Sequence, residues 1–280
     1  MSAPLLQAHA VGRRYGDYVA LQGVSLEIWP GETVAIVGPN GAGKTTLVNL
    51  LTGMLEPSEG RVRFLGVDIA GIGPVRLARM GMARAFQLVQ VFPELTVAET
   101  IAVGALSHMG RGRRMLASVG ADRGLRARVA ETAEVFGLAD ALHRPARELP
   151  QGQKKLLDVA SAFALRPAVI LLDEPTSGVA TADKHGIMET LMGAARRAGV
   201  QALLLVEHDI DLVETYAGRV LGLLGGEVLA DLPVRDFFAD AEVTAALVGR
   251  RTPVGERIQP PGGPPPADHP GGIRSAQAPR

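Results

Sequence analysis

Apolar residues fall into two kinds of pattern along this chain. Thr33-Val34-Ala35-Ile36-Val37 is a short, β-branched run with no breaker, which predicts a buried strand. Thr46-Leu47-Val48-Asn49-Leu50-Leu51 repeats apolar positions at helical spacing and predicts a helix soon after it. Residues 5–30 predict β structure, with alternating segments around Val11 and Leu21–Ile28 that end at Trp29-Pro30-Gly31. Arg61-Val62-Arg63-Phe64-Leu65 predicts another strand between Gly60 and Gly66. From about Thr96 to Leu142 the pattern turns helical. Thr96-Val97-Ala98-Glu99 fits a capping box, and an amphipathic helix is expected from Leu125 to Phe136, stopping at Gly137.

After Gly152 a further helix is expected, with Leu156, Leu157, Ala160, Phe163 and Ala164 on one face and a stop at Arg166-Pro167. Two near-continuous apolar runs follow, at 169–172 and 203–206, and suit a parallel sheet covered on both faces. Gly225-Gly226 between two apolar segments is a hairpin signal. Beyond Thr252 the chain is rich in Pro and Gly and predicts a disordered tail over 252–280. The whole predicts an α/β fold.

Between the first buried strand and its helix lies Gly38-Pro39-Asn40-Gly41-Ala42-Gly43-Lys44-Thr45-Thr46, a G-x-x-x-x-G-K-T sequence in the strand-then-helix context that gives it meaning. Its glycines let main-chain N–H groups approach a polyphosphate, and the following helix presents its positive end. Lys44 is placed to reach β- and γ-phosphates, and the Thr45 hydroxyl to ligate Mg²⁺. Nucleoside triphosphate binding is the expectation. Asp173 and Glu174 end the 169–172 run; beside a phosphate loop, the first carboxylate is expected to hold Mg²⁺ and the second to orient or deprotonate an attacking water.

Composition narrows the field. Lys and Arg number 29 and Asp and Glu 29, so no global field draws the chain to nucleic acid, and no nucleic-acid partner is expected. Without cysteine there is no disulfide, thiolate metal site or thiol nucleophile. No apolar run is long enough to span a bilayer, and the first residues lack the order of a signal peptide. A mean hydropathy of +0.17 leaves open a large core or an apolar surface that meets a partner. His9, His108, His143, His185 and His269 have no ligand spacing and receive no metal. The arginines at 111, 113, 114, 123, 126 and 128 form a local basic patch, either a solvated face or a surface near an anionic leaflet.

With these landmarks the sequence resembles the ATP-binding subunits of ABC transporters, from residue 5 to about 250. The resemblance implies a P-loop NTPase core with a parallel sheet, an antiparallel β sub-domain and a helical sub-domain at about 89–158. It implies ATP and Mg²⁺ as ligands, with Lys44, Glu174 and His208 catalytic and Thr45, Gln87 and Asp173 at the metal. Tyr15 would stack on adenine, although Tyr18 is an alternative. Phe86-Gln87 resembles the loop that reports nucleotide state to a membrane partner, and Val206-Glu207-His208-Asp209 carries the histidine that reads the γ-phosphate. Leu149-Pro150-Gln151-Gly152-Gln153 occupies the signature position, which completes the nucleotide site of an opposite subunit. Residues 78–87 and 91–99 are similar to ATPases of branched-chain amino-acid importers, and also to those of urea or amide import and lipopolysaccharide export. The implied partners are transmembrane permeases, a second ATPase and, indirectly, a solute-binding protein, at the cytoplasmic face of the inner or plasma membrane.

Two positions depart from the family pattern. Pro150 stands where the signature has serine, and it offers neither hydroxyl nor N–H. Losing one preorganised donor to a reacting anion costs about 3–4 kcal/mol, or roughly 100- to 1,000-fold in rate. Ala180 stands where many relatives carry aspartate. The resemblance implies that both positions face the partner's nucleotide, so an asymmetric heterodimer is expected; a homodimer, or a dimerising subunit that hydrolyses ATP weakly, is the alternative.

Overall fold

In the computed structural model, which describes residues 3–85, 92–108 and 122–247, alternation along two buried strands sets the layers. In β7 (Val169–Asp173) and β8 (Ala202–Val206), Val169, Leu171, Leu204 and Val206 pack to one side. Ile170, Leu172, Leu203 and Leu205 pack to the other. With every position of both strands buried, the period-2 side-chain alternation feeds two separate cores.

These strands belong to a six-stranded sheet of order β10-β9-β3-β8-β7-β6, where β3 is Thr33–Val37, β6 Met82–Ala85, β9 Arg219–Leu224 and β10 Glu227–Pro233. All pairs are parallel except β9 with β10, which close as a hairpin through Gly225 and Gly226, both at positive φ. A second, antiparallel sheet has the order β2-β1-β4-β5, from β1 (Leu6–Tyr15), β2 (Tyr18–Ile28), β4 (Glu59–Phe64) and β5 (Val67–Asp68). Helix α1 (Lys44–Leu51) lies between the sheets and buries Leu47, Val48, Leu50 and Leu51 in the core they share.

The opposite core is helical. It takes in α3 (Val97–His108), α4 (Arg123–Val135), α5 (Gln151–Phe163) and α6 (Thr181–Ala198); α2 (Pro74–Met80) lies outside this cluster. Small residues let α3 approach α5: a Cβ on Gly104 would come within 2.1 Å of the Ser161 carbonyl oxygen. The capping box at α3 is present, with the Thr96 N–H donating to Glu99 Oε2 at 2.8 Å and the Glu99 N–H to Thr96 Oγ1 at 3.2 Å. That backbone donor holds the Glu99 carboxyl below the usual carboxylate range.

Three details differ from the sequence expectation. Leu65 is not the end of a strand; β4 stops at Phe64, and Leu65 and Gly66 form a turn with both φ positive. Helix α4 starts two residues earlier than expected, because the Asp122 carboxylate accepts the Gly124 and Leu125 N–H groups as an N-cap. Helix α5 begins at Gln151 rather than after Gly152, with Pro150 as its N-cap. The Pro/Gly-rich tail and Phe86-Gln87 lie outside the described residues, as do the arginines at 111, 113 and 114.

Candidate functional site

The C-terminal ends of β3, β8 and β7 lie side by side, and the register pairs Ile36 with Val206 and Asp173 with Val206. Everything that follows these three strands therefore converges on one edge of the sheet, the position where open parallel sheets bind ligands. The loop 38–43 follows β3, Asp173-Glu174 ends β7, and Glu207-His208 follows β8.

The loop conformation is specific to glycine. Gly38 has φ +151, and a Cβ there would meet the Leu223 carbonyl oxygen at 2.3 Å. Gly43, the N-cap of α1, has φ +99, and its Cβ would meet the Ala20 carbonyl oxygen at 2.8 Å. Backbone crowds both sites, so a side chain has nowhere to go. Lys44 is buried at 8% exposure, and its ammonium donates to the carbonyls of Gly38 at 2.7 Å and Pro39 at 3.0 Å. Burial pushes its pKa down, and the nearby Glu174 and Asp173 carboxylates pull it back up. A buried cation facing two carboxylates beside a cradle of N–H groups suits polyphosphate.

Glu174 and His208 meet directly, with Nε2 2.7 Å from Oε1. Glu174 has φ +49, a left-handed backbone unusual for a side chain of this kind, and its N–H donates to the Val206 carbonyl at 2.9 Å. The bond fixes the strained residue against the neighbouring strand, so the carboxyl is aimed by the sheet itself. Asp173 is 8% exposed, and Oδ2 accepts a 2.6 Å bond from Arg84. Thr45 is exposed and Thr46 half-buried on the first turn of α1.

Other predicted residues lie apart from this centre. Tyr15 and Tyr18 are directly paired at the tip of the β1–β2 hairpin and largely exposed. The Arg13 guanidinium lies 4.8 Å from the centre of the Tyr15 ring. Leu149 is buried, Pro150 caps α5, and Gln151, Gly152 and Gln153 form its first turn. Among the described residues, no hydrogen bond joins 149–153 to 38–46. Gln87 lies outside the described residues.

Several contributors were not recognised from sequence. Arg84, on the edge strand β6, bridges Asp173 to Asn49 Oδ1 of α1 at 2.6 Å. The side chains of both partners of the Arg84–Asp173 pair are 9% exposed, and removing one member of such a pair strands a charge at a cost of about 3–5 kcal/mol. Glu207, 4% exposed, accepts from the Thr176 hydroxyl at 2.6 Å and the Thr176 N–H at 3.2 Å, tying the segment after the acid pair to the histidine segment. Lys155 on α5 donates to the carbonyl of Ser177 and, at 2.8 Å, to its hydroxyl. Burial pushes the Lys155 pKa down, opposed by the Glu207, Glu174 and Asp158 carboxylates. The helix that opens at Pro150 is thus hydrogen-bonded to the segment following Glu174. The one sequence clue was polar residues at positions adjoining the motifs.

The family model for the ABC transporter matches residues 21–177, more than half of the chain. The chain belongs to the ABC transporter family. It is 31% identical over 256 residues to the high-affinity branched-chain amino acid transport ATP-binding protein of Pseudomonas aeruginosa, covering 89% of this chain and 99% of the relative. It is also 32% identical to the phosphonates import ATP-binding protein of Wolinella succinogenes, covering 81% of this chain and 82% of that one. A solved ATP-binding cassette of an ABC transporter in its ADP conformation superposes with a TM-score of 0.76 at 28% identity, over 89% of this chain and all of that one. The protein is an ATP-binding subunit of an ABC transporter and an ABC-type ATPase. Among the described residues of this ABC subunit, no helix is long and apolar enough to cross a membrane.

Proposed function

We propose that this ABC subunit hydrolyses ATP to drive uptake of branched-chain amino acids, or of a related small amino-acid or amide solute, by permeases in the membrane. The solute assignment rests on the P. aeruginosa relative, which the chain matches over nearly its whole length; the similar phosphonate relative is the reason the solute needs its own test. The catalytic assignment rests above all on one observation, the 2.7 Å contact of His208 with Glu174 at the sheet edge that holds the phosphate loop.

In this mechanism the N–H groups of 38–46 and the Lys44 ammonium hold the β- and γ-phosphates. Lys44 must exchange its two carbonyl partners for phosphate oxygens. Glu174 orients a water toward the γ-phosphorus and takes its proton as the P–O bond to ADP breaks. His208, hydrogen-bonded to Glu174, turns to the γ-phosphate and stabilises the charge there. Tyr15 stacks on adenine.

The donor set suits Mg²⁺. Thr45 and Asp173 provide hard oxygens, and among the described residues no group of three or more His, Cys, Asp or Glu could hold a metal without a substrate. Mg²⁺ ordinarily takes one or two protein oxygens and fills the rest with phosphate and water. Thr45 and Asp173, with Gln87 by resemblance, would hold it, and it would neutralise phosphate charge. Arg84 then keeps the Asp173 carboxylate aimed.

Leu149, Pro150, Gln151, Gly152 and Gln153 would complete the nucleotide site of a second, related ATPase. Pro150 and Ala180 both lack the expected polar group, which supports a heterodimer in which this chain's own nucleotide is turned over fast and the partner's slowly. A solute-binding protein would act through the permeases, and the ATPase pair would sit at the cytoplasmic face of the membrane.

Uptake of radiolabelled leucine and valine tests the solute. In cells whose native copy carries Glu174→Gln, uptake is expected to fall to background. Normal leucine and valine uptake would contradict the solute and leave the ATPase intact.

A further inference from the structure

Away from the nucleotide edge, a cleft of about 260 Å³ lies where α4, the end of α5 and the end of α6 meet. Its inner wall is apolar. Phe136 and Phe163 pack edge to face with ring centres 5.3 Å apart, flanked by Ala194. Three arginines, Arg128, Arg166 and Arg197, line the same cleft against a single carboxylate, Glu131. Glu131 is 3.7 Å from Arg166 and largely exposed, so it neutralises the cluster weakly.

Arginines near helix ends often cap free carbonyls. The carbonyls of Ala162 and Phe163 already accept from the N–H groups of Leu165 and Arg166. Those of Ala195 and Arg196 accept from Val200 and Gly199. These four carbonyls are satisfied without the guanidinium groups. Arg128 Nη1 is buried and has no hydrogen-bond partner among the described residues. Burial, and then the like charge of Arg166, lower the pKa of Arg128. A guanidinium with one nitrogen buried and unpartnered, beside a second cation, is unfavourable until an anion meets it.

We infer that this cleft is a binding site for a small monocarboxylate with a compact apolar body. The carboxylate lies against Arg128, Arg166 and Arg197, and the hydrocarbon covers Phe136 and Phe163. Inorganic anions lack the body for the aromatic wall, and neutral analogues lack the charge the arginines require. The site shares no lining residue with the phosphate loop, the acid pair or His208. It therefore stands or falls independently of the nucleotide reading. It lies at the far ends of α5 and α6, the two helices whose N-caps are Pro150 and Ala180.

The test is calorimetric or NMR titration of the full chain with 4-methylpentanoate, its neutral amide and inorganic phosphate. The carboxylate is expected to bind saturably with a Kd of about 1 mM. The amide, inorganic phosphate and the Arg128→Met variant should each be weaker by about tenfold, the worth of a charge-assisted hydrogen bond or of the apolar contact. Arg197→Ala, on the exposed rim, should weaken binding too without touching the core. Basal ATPase activity of both variants should stay at the wild-type level, which certifies their fold. Equal binding of the amide or phosphate, or a Kd unchanged by Arg128→Met, overturns the site.

Discussion

Glu174→Gln is expected to lower ATP hydrolysis by about 10³-fold while ATP affinity changes by no more than about threefold. Glutamine fits the same space and can still hydrogen-bond to His208, but it cannot take a proton from water. Lys44 and the loop amides, which hold the phosphates, are untouched by the change. In the proposed pair each nucleotide is completed by the opposite subunit, so ATP favours the closed pair, and a variant that binds without hydrolysing is expected to hold it closed. Size-exclusion chromatography with ATP should then show a stable pair with the partner ATPase, and phosphate release should be near background. Hydrolysis at the wild-type rate would remove Glu174 from the mechanism.

Pro150→Ser is expected to accelerate turnover of the partner's nucleotide by about 100-fold. Pro150 already sits at the N-cap of α5 with extended backbone, φ −57 and ψ 155, so serine needs no rearrangement. In the proposed heterodimer one hydroxyl would serve two purposes, accepting a first-turn N–H of α5 and donating to the γ-phosphate of the partner's nucleotide. The cap stabilises by about 1 kcal/mol, and losing proline's restriction of the unfolded chain costs about 0.4–1 kcal/mol. Stability should therefore barely move, and the rate change is separable from folding. The measurement uses the heterodimer with this chain's own site silenced by Glu174→Gln, with and without Pro150→Ser. An unchanged rate would mean that the amides at Gln151–Gln153 already suffice, and the proposed asymmetry would be lost.

The contiguous parts of the site were legible because their chemistry depends on neighbours in sequence. Gly38 to Thr46 carries its loop geometry, its cation and its helix start in nine residues. Asp173-Glu174 ends a strand whose burial shows in its own letters. The capping box of Thr96 and Glu99 and the Gly225-Gly226 hairpin were visible for the same reason. What sequence did not reveal is joined across the fold. Arg84 and Asp173 are 89 residues apart and meet because β6 and β7 are adjacent strands. Glu207 and Thr176, and Lys155 and Ser177, are likewise contacts between elements, and no periodicity announces them. Leu65 reads as a strand residue by hydrophobicity, yet its left-handed backbone is set by the tight turn with Gly66. The left-handed Glu174 is similar: its conformation follows from a bond to β8.

The most direct measurement is a structure of the full chain with Mg²⁺ and a non-hydrolysable ATP analogue. The Lys44 ammonium is expected to leave the carbonyls of Gly38 and Pro39 for phosphate oxygens, with Glu174 and His208 within about 3 Å of the γ-phosphate or the water beside it. A nucleotide bound with Lys44 still on those carbonyls, or with Glu174 and His208 remote from its terminal phosphate, would contradict it.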